Sequence, residues 1–303
     1  MITRDIGAFL EFARRCGSDF GPATAKAAFL VAPEGFALAE QSASDNRYMD
    51  LDIETDVDIA LAEHRGLQSA LADTLPTLCF PGDIDAPDAQ FPNNVFATAP
   101  GRLILGHMRH PVRQREADRQ DIRGFFGEVL GYRQIDLREQ PGVCELTGAL
   151  VIDRARGLGF AGLSERCDAR GAAAMHQAFG LRATLLFDLA PGEYHTNVVL
   201  SVLAGRAVVL AEAGFAEAEV AKAIVALYAP HAVLLTAVEK AGFAGNCIAL
   251  SGQDVWMSVA AAMALQSDHH AVLETAGFRV RGVALAEIEK AGGSLRCCVA
   301  EIF

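Results

Sequence analysis

ELTGALVIDRARGLGFAGLSERCDARGAAAMHQAFGLRATLLF, residues 145–187, decides how this chain folds. ALVIDR and LGFAGLS are apolar runs of strand length, separated by the glycine-bearing RGLG of 156–159. DARGAAAMHQAFG (168–180) spaces its apolar residues at three and four, the helical period. LRATLLF (181–187) returns to a strand. The unit therefore reads strand, strand, helix, strand.

The same order recurs along the chain. After Asn94 come VFATA, RLILGHM, the helix-like READRQDIRGFFGEVLG (115–131) and YRQIDL. After His195 come VVLSV, RAVVLAE, AEAEVAKAIVALYA and HAVLLT. After Asn246 come CIALS, DVWMSV, a helical stretch over 260–276 and FRVRGV. The first unit is looser: FLVAP at 29–33, a helix around 56–73, then PTLCF. RCCVAEIF closes the chain as a last strand. A doubly wound sheet needs single strands alternating with helices. Here the strands come in pairs before each helix, which favours blades around an axis. Residues 1–24 read as an added helical extension, and 25–303 as one α/β domain with no linker. The polar stretch PEGFALAEQSASDNRYM (34–50) suits a lid loop.

Five residues mark the repeat. Asn94, Glu145, His195, Asn246 and Cys297 follow one another at steps of 51, 50, 51 and 51, each just before an apolar run. A fixed period of this length signals a repeated supersecondary unit. In a closed ring, equivalent positions face a common centre. A thiol, an imidazole and a carboxylate would then meet there, the groups that nucleophilic catalysis needs.

The net charge of −12 disfavours nucleic acid, since an acidic chain repels phosphates and no lysine–arginine block reverses this locally. No apolar run is long enough for a membrane helix. VVLSVLAGRAVVLA (198–211) comes nearest, and Gly205 and Arg206 break it into two strands and a turn. The N-terminus lacks the apolar stretch of a signal peptide. Seven cysteines with no C-x-x-C pair give neither a disulfide framework nor a zinc site. Reduced thiols in the cytoplasm are expected.

Each chemical candidate has a plainer reading. Cys297 follows GGSLR (292–296), where glycines allow close approach and Arg296 adds positive charge, both favouring a thiolate; a buried structural cysteine is the plainer fate. Cys298 takes the other side of the strand and is expected in the core. His195 follows a Pro-Gly turn at a strand start, and Glu145 enters an apolar run, where a carboxylate needs a partner. HMRH (107–110) is spaced loosely like a metal pair but lacks a third ligand, so it reads as surface. Asn246 reads as a turn-shaping residue.

Seven segments carry a resemblance: PDAQFPNNVF (87–96), PVRQRE (111–116), CELTGALVID (144–153), GLSERCD (162–168), YHTNVV (194–199), FAGNCIAL (243–250) and GGSLRCCVAEIF (292–303). Together they resemble the guanidine- and ureido-modifying enzymes, which include arginine deiminase, dimethylarginine dimethylaminohydrolase and the amidinotransferases. The branch most similar is citrulline utilisation hydrolase. The resemblance implies the five-bladed α/β propeller, or pentein, fold. It implies Cys297 as nucleophile, His195 as general acid/base and Glu145 as the supporting carboxylate. It also places Asn93, Asn94, Asn197 and Asp88 among the substrate contacts. Arg113 and Arg166 match arginines that hold the α-carboxylate, a task that suits a bidentate guanidinium. No metal or cofactor is implied; the partner is a small amino-acid substrate, and a homo-oligomer remains open.

One departure bears on the substrate. Arginine-handling relatives place a carboxylate where Asn94 stands, and arginine deiminase places another where Asn197 stands. A guanidinium is cationic and wants carboxylates, whereas a ureido group is neutral and is matched by an amide that both donates and accepts. Citrulline is therefore the expected substrate, cleaved to ornithine, ammonia and carbon dioxide. The alternatives are an arginine or methylarginine hydrolase, an amidinotransferase, and a non-catalytic binding ring.

Overall fold

The structure is a computed structural model that describes residues 1–303. Its strands form five separate sheets of one topology. Sheet I joins Ala300–Ile302, Ala27–Val31 and Thr77–Phe80; sheet II joins Phe96–Ala99, Arg102–Leu105 and Arg133–Asp136. Sheet III joins Leu150–Asp153, Leu158–Leu163 and Ala183–Asp188; sheet IV joins Leu200–Leu203, Ala207–Leu210 and Ala232–Leu234. Sheet V joins Ile248–Ala249, Asp254–Ser258 and Arg279–Val283. In every sheet the first two strands are antiparallel and the last two parallel. A helical crossover links the parallel pair, as such pairs require. The last strand of the chain pairs with Ala27–Val31, so sheet I is built from both ends of the sequence.

Five apolar clusters fill the spaces between successive sheets. Phe29 and Val31 of sheet I meet Phe96 and Leu103 of sheet II. Ile104 of sheet II meets Leu150 and Ala161 of sheet III. Phe160 and Leu185 meet Leu200 and Leu210 of sheet IV, and Val209 meets Val255 and Met257 of sheet V. The fifth cluster returns from Ile248 and Trp256 of sheet V to Ala28 and Leu30 of sheet I. Alternation along the strand explains how Ala27–Val31 serves two interfaces: odd and even residues point to opposite faces.

Local signals set the helix ends. The Asp168 side chain accepts from the Gly171 N–H at the start of Ala169–Phe179, and Gly180 ends that helix at φ 68°. Asp56 caps Val57–Ala72 in the same way. Residues 1–24 hold a two-residue strand, Ile2–Thr3, that extends sheet III, and the helix Ile6–Arg15. Two expected helices are broken. The 115–131 stretch divides into a 3-10 turn (Arg115–Asp118), an α-helix (Gln120–Gly124) and a π-turn (Phe125–Val129). The π-turn lets Phe125 pack on Phe80 while Phe126 packs on Phe29. The 260–276 stretch is two helices, Val259–Ala264 and Ser267–Thr275. No helix is long and apolar enough to cross a membrane.

Candidate active site

The five periodic residues all lie in the turns that lead into first strands. Asn94 ends the 3-10 turn Pro92–Asn94, and Glu145 and His195 are the N-caps of one-turn helices, Leu146–Ala149 and Thr196–Val199. Cys297 lies in the one-turn helix Leu295–Cys298. Asn246 stands in a turn closed by its own N–H donating to the Phe243 carbonyl at 2.8 Å. Equal spacing thus places equivalent turns at one end of every sheet.

Glu145 and His195 form a buried dyad. His195 Nε2 lies 2.8 Å from Glu145 Oε2, and both side chains are closed to solvent. The carboxylate also accepts from the Arg109 N–H at 3.0 Å and from Arg166 Nη1 at 3.2 Å. Burial alone would raise the Glu145 pKa, but Arg166 and the His195 hydrogen bond hold it far below the usual carboxylate range. Burial lowers the His195 pKa, and Glu145 opposes that shift. The resting dyad is therefore carboxylate and neutral imidazole, with the proton on Nε2. His195 Nδ1 has no protein partner and, in the neutral ring, keeps its lone pair free.

Cys297 is buried and faces a small cavity. Asn94, Asp88 and Arg113 share its wall. Cys297 Sγ lies 3.3 Å from Asn246 Nδ2, which donates to it, and 3.7 Å from Asn197 Oδ1. The Cys297 N–H donates to Asn246 Oδ1 at 3.4 Å. Burial raises the thiol pKa, and the Asn246 hydrogen bond is the main opposing influence. Gly148 shows how tightly the groups converge. A methyl there would lie 2.6 Å from Asn94 Oδ1 and 2.9 Å from His195 Nδ1. The unpartnered Asn94 Oδ1 and the unpartnered imidazole nitrogen therefore border one small space.

The 34–50 loop closes this cavity. Ser42, Asn46 and Met49 line it. Arg166 Nε contacts both Asp45 oxygens at 2.9 Å, and its Nη2 donates to the Ser42 carbonyl at 2.9 Å. Ser42 Oγ donates to Asp88 Oδ2 at 2.5 Å, and Tyr48 Oη donates to Glu193 at 2.6 Å.

Every residue singled out for the site lies in or beside this region. Arg113 pairs with Glu116 at 2.8 Å through Nε, and its Nη2 donates to the Asp88 and Phe91 carbonyls. Its Nη1 has no protein acceptor. Arg166 is committed to Asp45 and Glu145, so its charge is already matched. The Asn93 side chain is buried with both amide atoms unpartnered, and its carbonyl accepts from Thr147 Oγ1. Asn197 is likewise buried, with Nδ2 unpartnered. Cys298 packs in the apolar interface between sheets V and I.

Two expectations need correction. Asn246 does more than shape a turn: its amide brackets the Cys297 turn through both the thiol and the backbone. His110 is not a surface residue, since its Nε2 lies 3.1 Å from Asp45 of the loop. Arg296 pairs with Glu301 at 3.0 Å and, as expected, its charge still favours the Cys297 thiolate. Sequence reasoning also missed Asp45 and Gly148. The periodic spacing was the available signal for Asn246; the others depend on contacts across more than one unit.

The family model for eukaryotic N,N dimethylarginine dimethylhydrolase matches residues 32–303. The N(G),N(G)-dimethylarginine dimethylaminohydrolase of Mycobacterium tuberculosis is 28% identical over 278 residues, 90% of this chain and 84% of that protein. The N-terminal domain of ArgZ, a cyanobacterial arginine dihydrolase, solved as a cysteine-to-serine variant bound to substrate, superposes with a TM-score of 0.79 at 18% identity. That match covers 91% of this chain and 97% of the other. The Pseudomonas aeruginosa dimethylarginine dimethylaminohydrolase, a cysteine-to-serine variant complexed with citrulline, gives 0.70 at 18%, covering 92% and 99%. The chain belongs to the dimethylarginine dimethylhydrolase family of guanidino-modifying enzymes and is a hydrolase of C–N bonds.

Proposed function

We propose that the chain hydrolyses a ureido or guanidino amino acid through a covalent intermediate on Cys297, with citrulline as the preferred substrate. The observation that carries this reading is the Glu145–His195 dyad, whose free Nδ1 borders the same space as the unpartnered Asn94 amide oxygen. His195 Nδ1 takes the proton of the Cys297 thiol, and the thiolate attacks the ureido carbon. His195 protonates the departing nitrogen, and the C–N bond breaks to leave an S-carbamoyl group. His195 then takes a proton from water, which attacks the carbamoyl carbon and restores the thiol. Ornithine, ammonia and carbon dioxide result.

Glu145 fixes the imidazole orientation and stabilises its cation as it forms. Asn246 donates to the sulfur and so favours the thiolate. Asn94 and Asn197 offer amides that suit a neutral ureido group, and Asp88 with Arg113 suits the α-amino acid end. Asp88 also supports a second reading: a carboxylate in the wall suits a guanidinium, as does the family, so arginine and methylarginines are the competing substrates. Amidino transfer would form product only with an added acceptor amine. We further infer that the five sheets are blades of a closed pentein ring, because the five apolar clusters join each sheet to the next and the last to the first. Residues 25–303 then form one catalytic domain with 1–24 as an extension, and seven unbonded cysteines suit the cytoplasm.

The test is ammonia release from citrulline, arginine, methylarginines and agmatine. Citrulline should be turned over fastest by the wild type and by Cys298→Ala, and not by Cys297→Ala. Equal activity in wild type and Cys297→Ala would remove the nucleophile. Faster turnover of arginine or a methylarginine would overturn the citrulline preference while leaving the chemistry intact.

A further inference from the structure

A second cavity adjoins the nucleophile turn, and apart from Asn197 its lining residues take no part in the chemistry above. Arg154, Arg296, Glu301 and Asn197 stand in its wall, and Ala23 of the N-terminal segment borders it. The charges there do not balance. Arg296 is paired with Glu301. Arg154 has no carboxylate partner: Nη1 donates to the Thr98 carbonyl at 3.0 Å, and its other donors have no protein acceptor. The guanidinium carbon lies 4.2 Å from the Phe303 ring centroid and 5.1 Å from that of Phe179. Aromatic faces attract a cation without neutralising it. Burial accordingly pulls the Arg154 guanidinium down to about 10, and Arg296 adds to that shift while Glu301 opposes it.

A second, independent observation points the same way. Asn197 is 1% exposed, and its Nδ2 has no acceptor. Its Oδ1 is turned to Cys297 Sγ. The cavity wall thus holds N–H donors without acceptors and a positive charge without a counter-charge. A guanidinium beside a free amide N–H is a complement for an oxyanion.

We propose that this cavity is a binding site for a small oxyanion, of the size of acetate, bicarbonate or phosphate, held by Arg154 and the Asn197 amide. The anion supplies the charge that Arg154 lacks. Ala23 lies in the segment before residue 32, outside the stretch matched by the family model. The border of the site therefore includes the part of this chain that the family pattern omits. Because Asn197 Oδ1 accepts from the Cys297 thiol, occupancy at Nδ2 reaches the sulfur through Oδ1.

The test is thermal unfolding of wild type and Arg154→Met in acetate, bicarbonate or phosphate at fixed ionic strength. Methionine keeps an unbranched apolar stem between the rings. Wild type should show a saturable rise in Tm, about 5 °C at a hundredfold excess over Kd, and Arg154→Met should show none. The oxyanion giving the largest rise identifies the source. No saturable rise, or the same rise in both proteins, overturns the proposal. Should Arg154→Met fail to fold, Arg154→Gln takes its place. Diffraction from wild-type crystals soaked in bromide gives a further reading: an anomalous peak beside Arg154 supports the site, and a cavity holding only water overturns it.

Discussion

Gly148→Ala offers the sharpest perturbation of the site. Gly148 lies in the one-turn helix Leu146–Ala149 and has no positive φ, so its backbone accepts alanine. On propensity alone the change would stabilise by roughly 0.5–1 kcal/mol. The added methyl, however, would lie 2.6 Å from Asn94 Oδ1, 2.8 Å from His195 Cε1 and 2.9 Å from His195 Nδ1. Non-bonded heavy atoms are comfortable at about 3.5–4.0 Å, so these groups must retreat by about 0.6–1.4 Å. Overpacking of this kind costs about 1–3 kcal/mol, which leaves a net destabilisation of roughly 0–2.5 kcal/mol. The catalytic effect is larger, because a displacement near 1 Å at reacting groups lowers turnover by about 100-fold. Steady-state ammonia release beside a thermal melt separates the two effects. The control is Gly66→Ala, in the helix Val57–Ala72 with open space around its site. It should stabilise by about 0.5–1 kcal/mol and leave kcat unchanged. Wild-type kcat in Gly148→Ala, with the protein folded, would refute the convergence of Asn94 and His195 on one reacting space.

Two further outcomes are expected. Asn246→Ala removes the donor to Cys297 Sγ and the acceptor of the Cys297 N–H; the pH profile of Cys297 alkylation should move upward, and kcat should fall about 10- to 100-fold, the weight of a hydrogen bond to a charged group. An unchanged profile would return Asn246 to a structural role. His64 is 1% exposed with Nε2 unpartnered, and burial lowers its pKa to about 4. Its folded pKa lies below the unfolded value near 6.5, so the stability it contributes is complete above pH 6.5 and is lost as pH falls towards 4. The loss is about 3 kcal/mol by linkage. Denaturant melts at pH 7 and pH 4 should therefore show wild type losing about 3 kcal/mol more than His64→Leu; an equal loss would mean that His64 is not held neutral.

The legible part of this chain was what a single unit repeats. Strand pairs, crossover helices and the fifty-residue step lie within one unit each, so pattern and spacing expose them. The step also located Glu145, His195 and Cys297, because equivalent turns recur at equivalent places. What escaped depends on neighbouring units. Asn246 shares its sequence surroundings with any turn asparagine; only the juxtaposition of two successive units sets its amide against Cys297. Gly148 looks like a helix interruption until the Asn94 and His195 side chains fill the space beside it. The 115–131 stretch carries helical spacing, yet the packing of Phe125 and Phe126 against Phe80 and Phe29 overrides it.

The loop and the dyad form one electrostatic unit. Arg166 stands between Asp45 of the loop and Glu145 of the dyad, with both carboxylates inside ion-pair distance. A buried guanidinium between two carboxylates holds both deprotonated, and Glu145 in turn holds the His195 proton on Nε2. If the loop lifts, Asp45 leaves and Arg166 loses one of its two matching charges. The remaining charge then acts on Glu145 alone and weakens its hold on the imidazole proton. A substrate α-carboxylate can replace Asp45 at Arg166 only with the loop displaced, because Nε and Nη2 are already engaged. Arg113 Nη1 has no such competitor and borders the same cavity. On the proposed reading, a substrate carboxylate is received at Arg113 with the loop closed, and the loop and the neutral imidazole are held by the same Asp45–Arg166 pair.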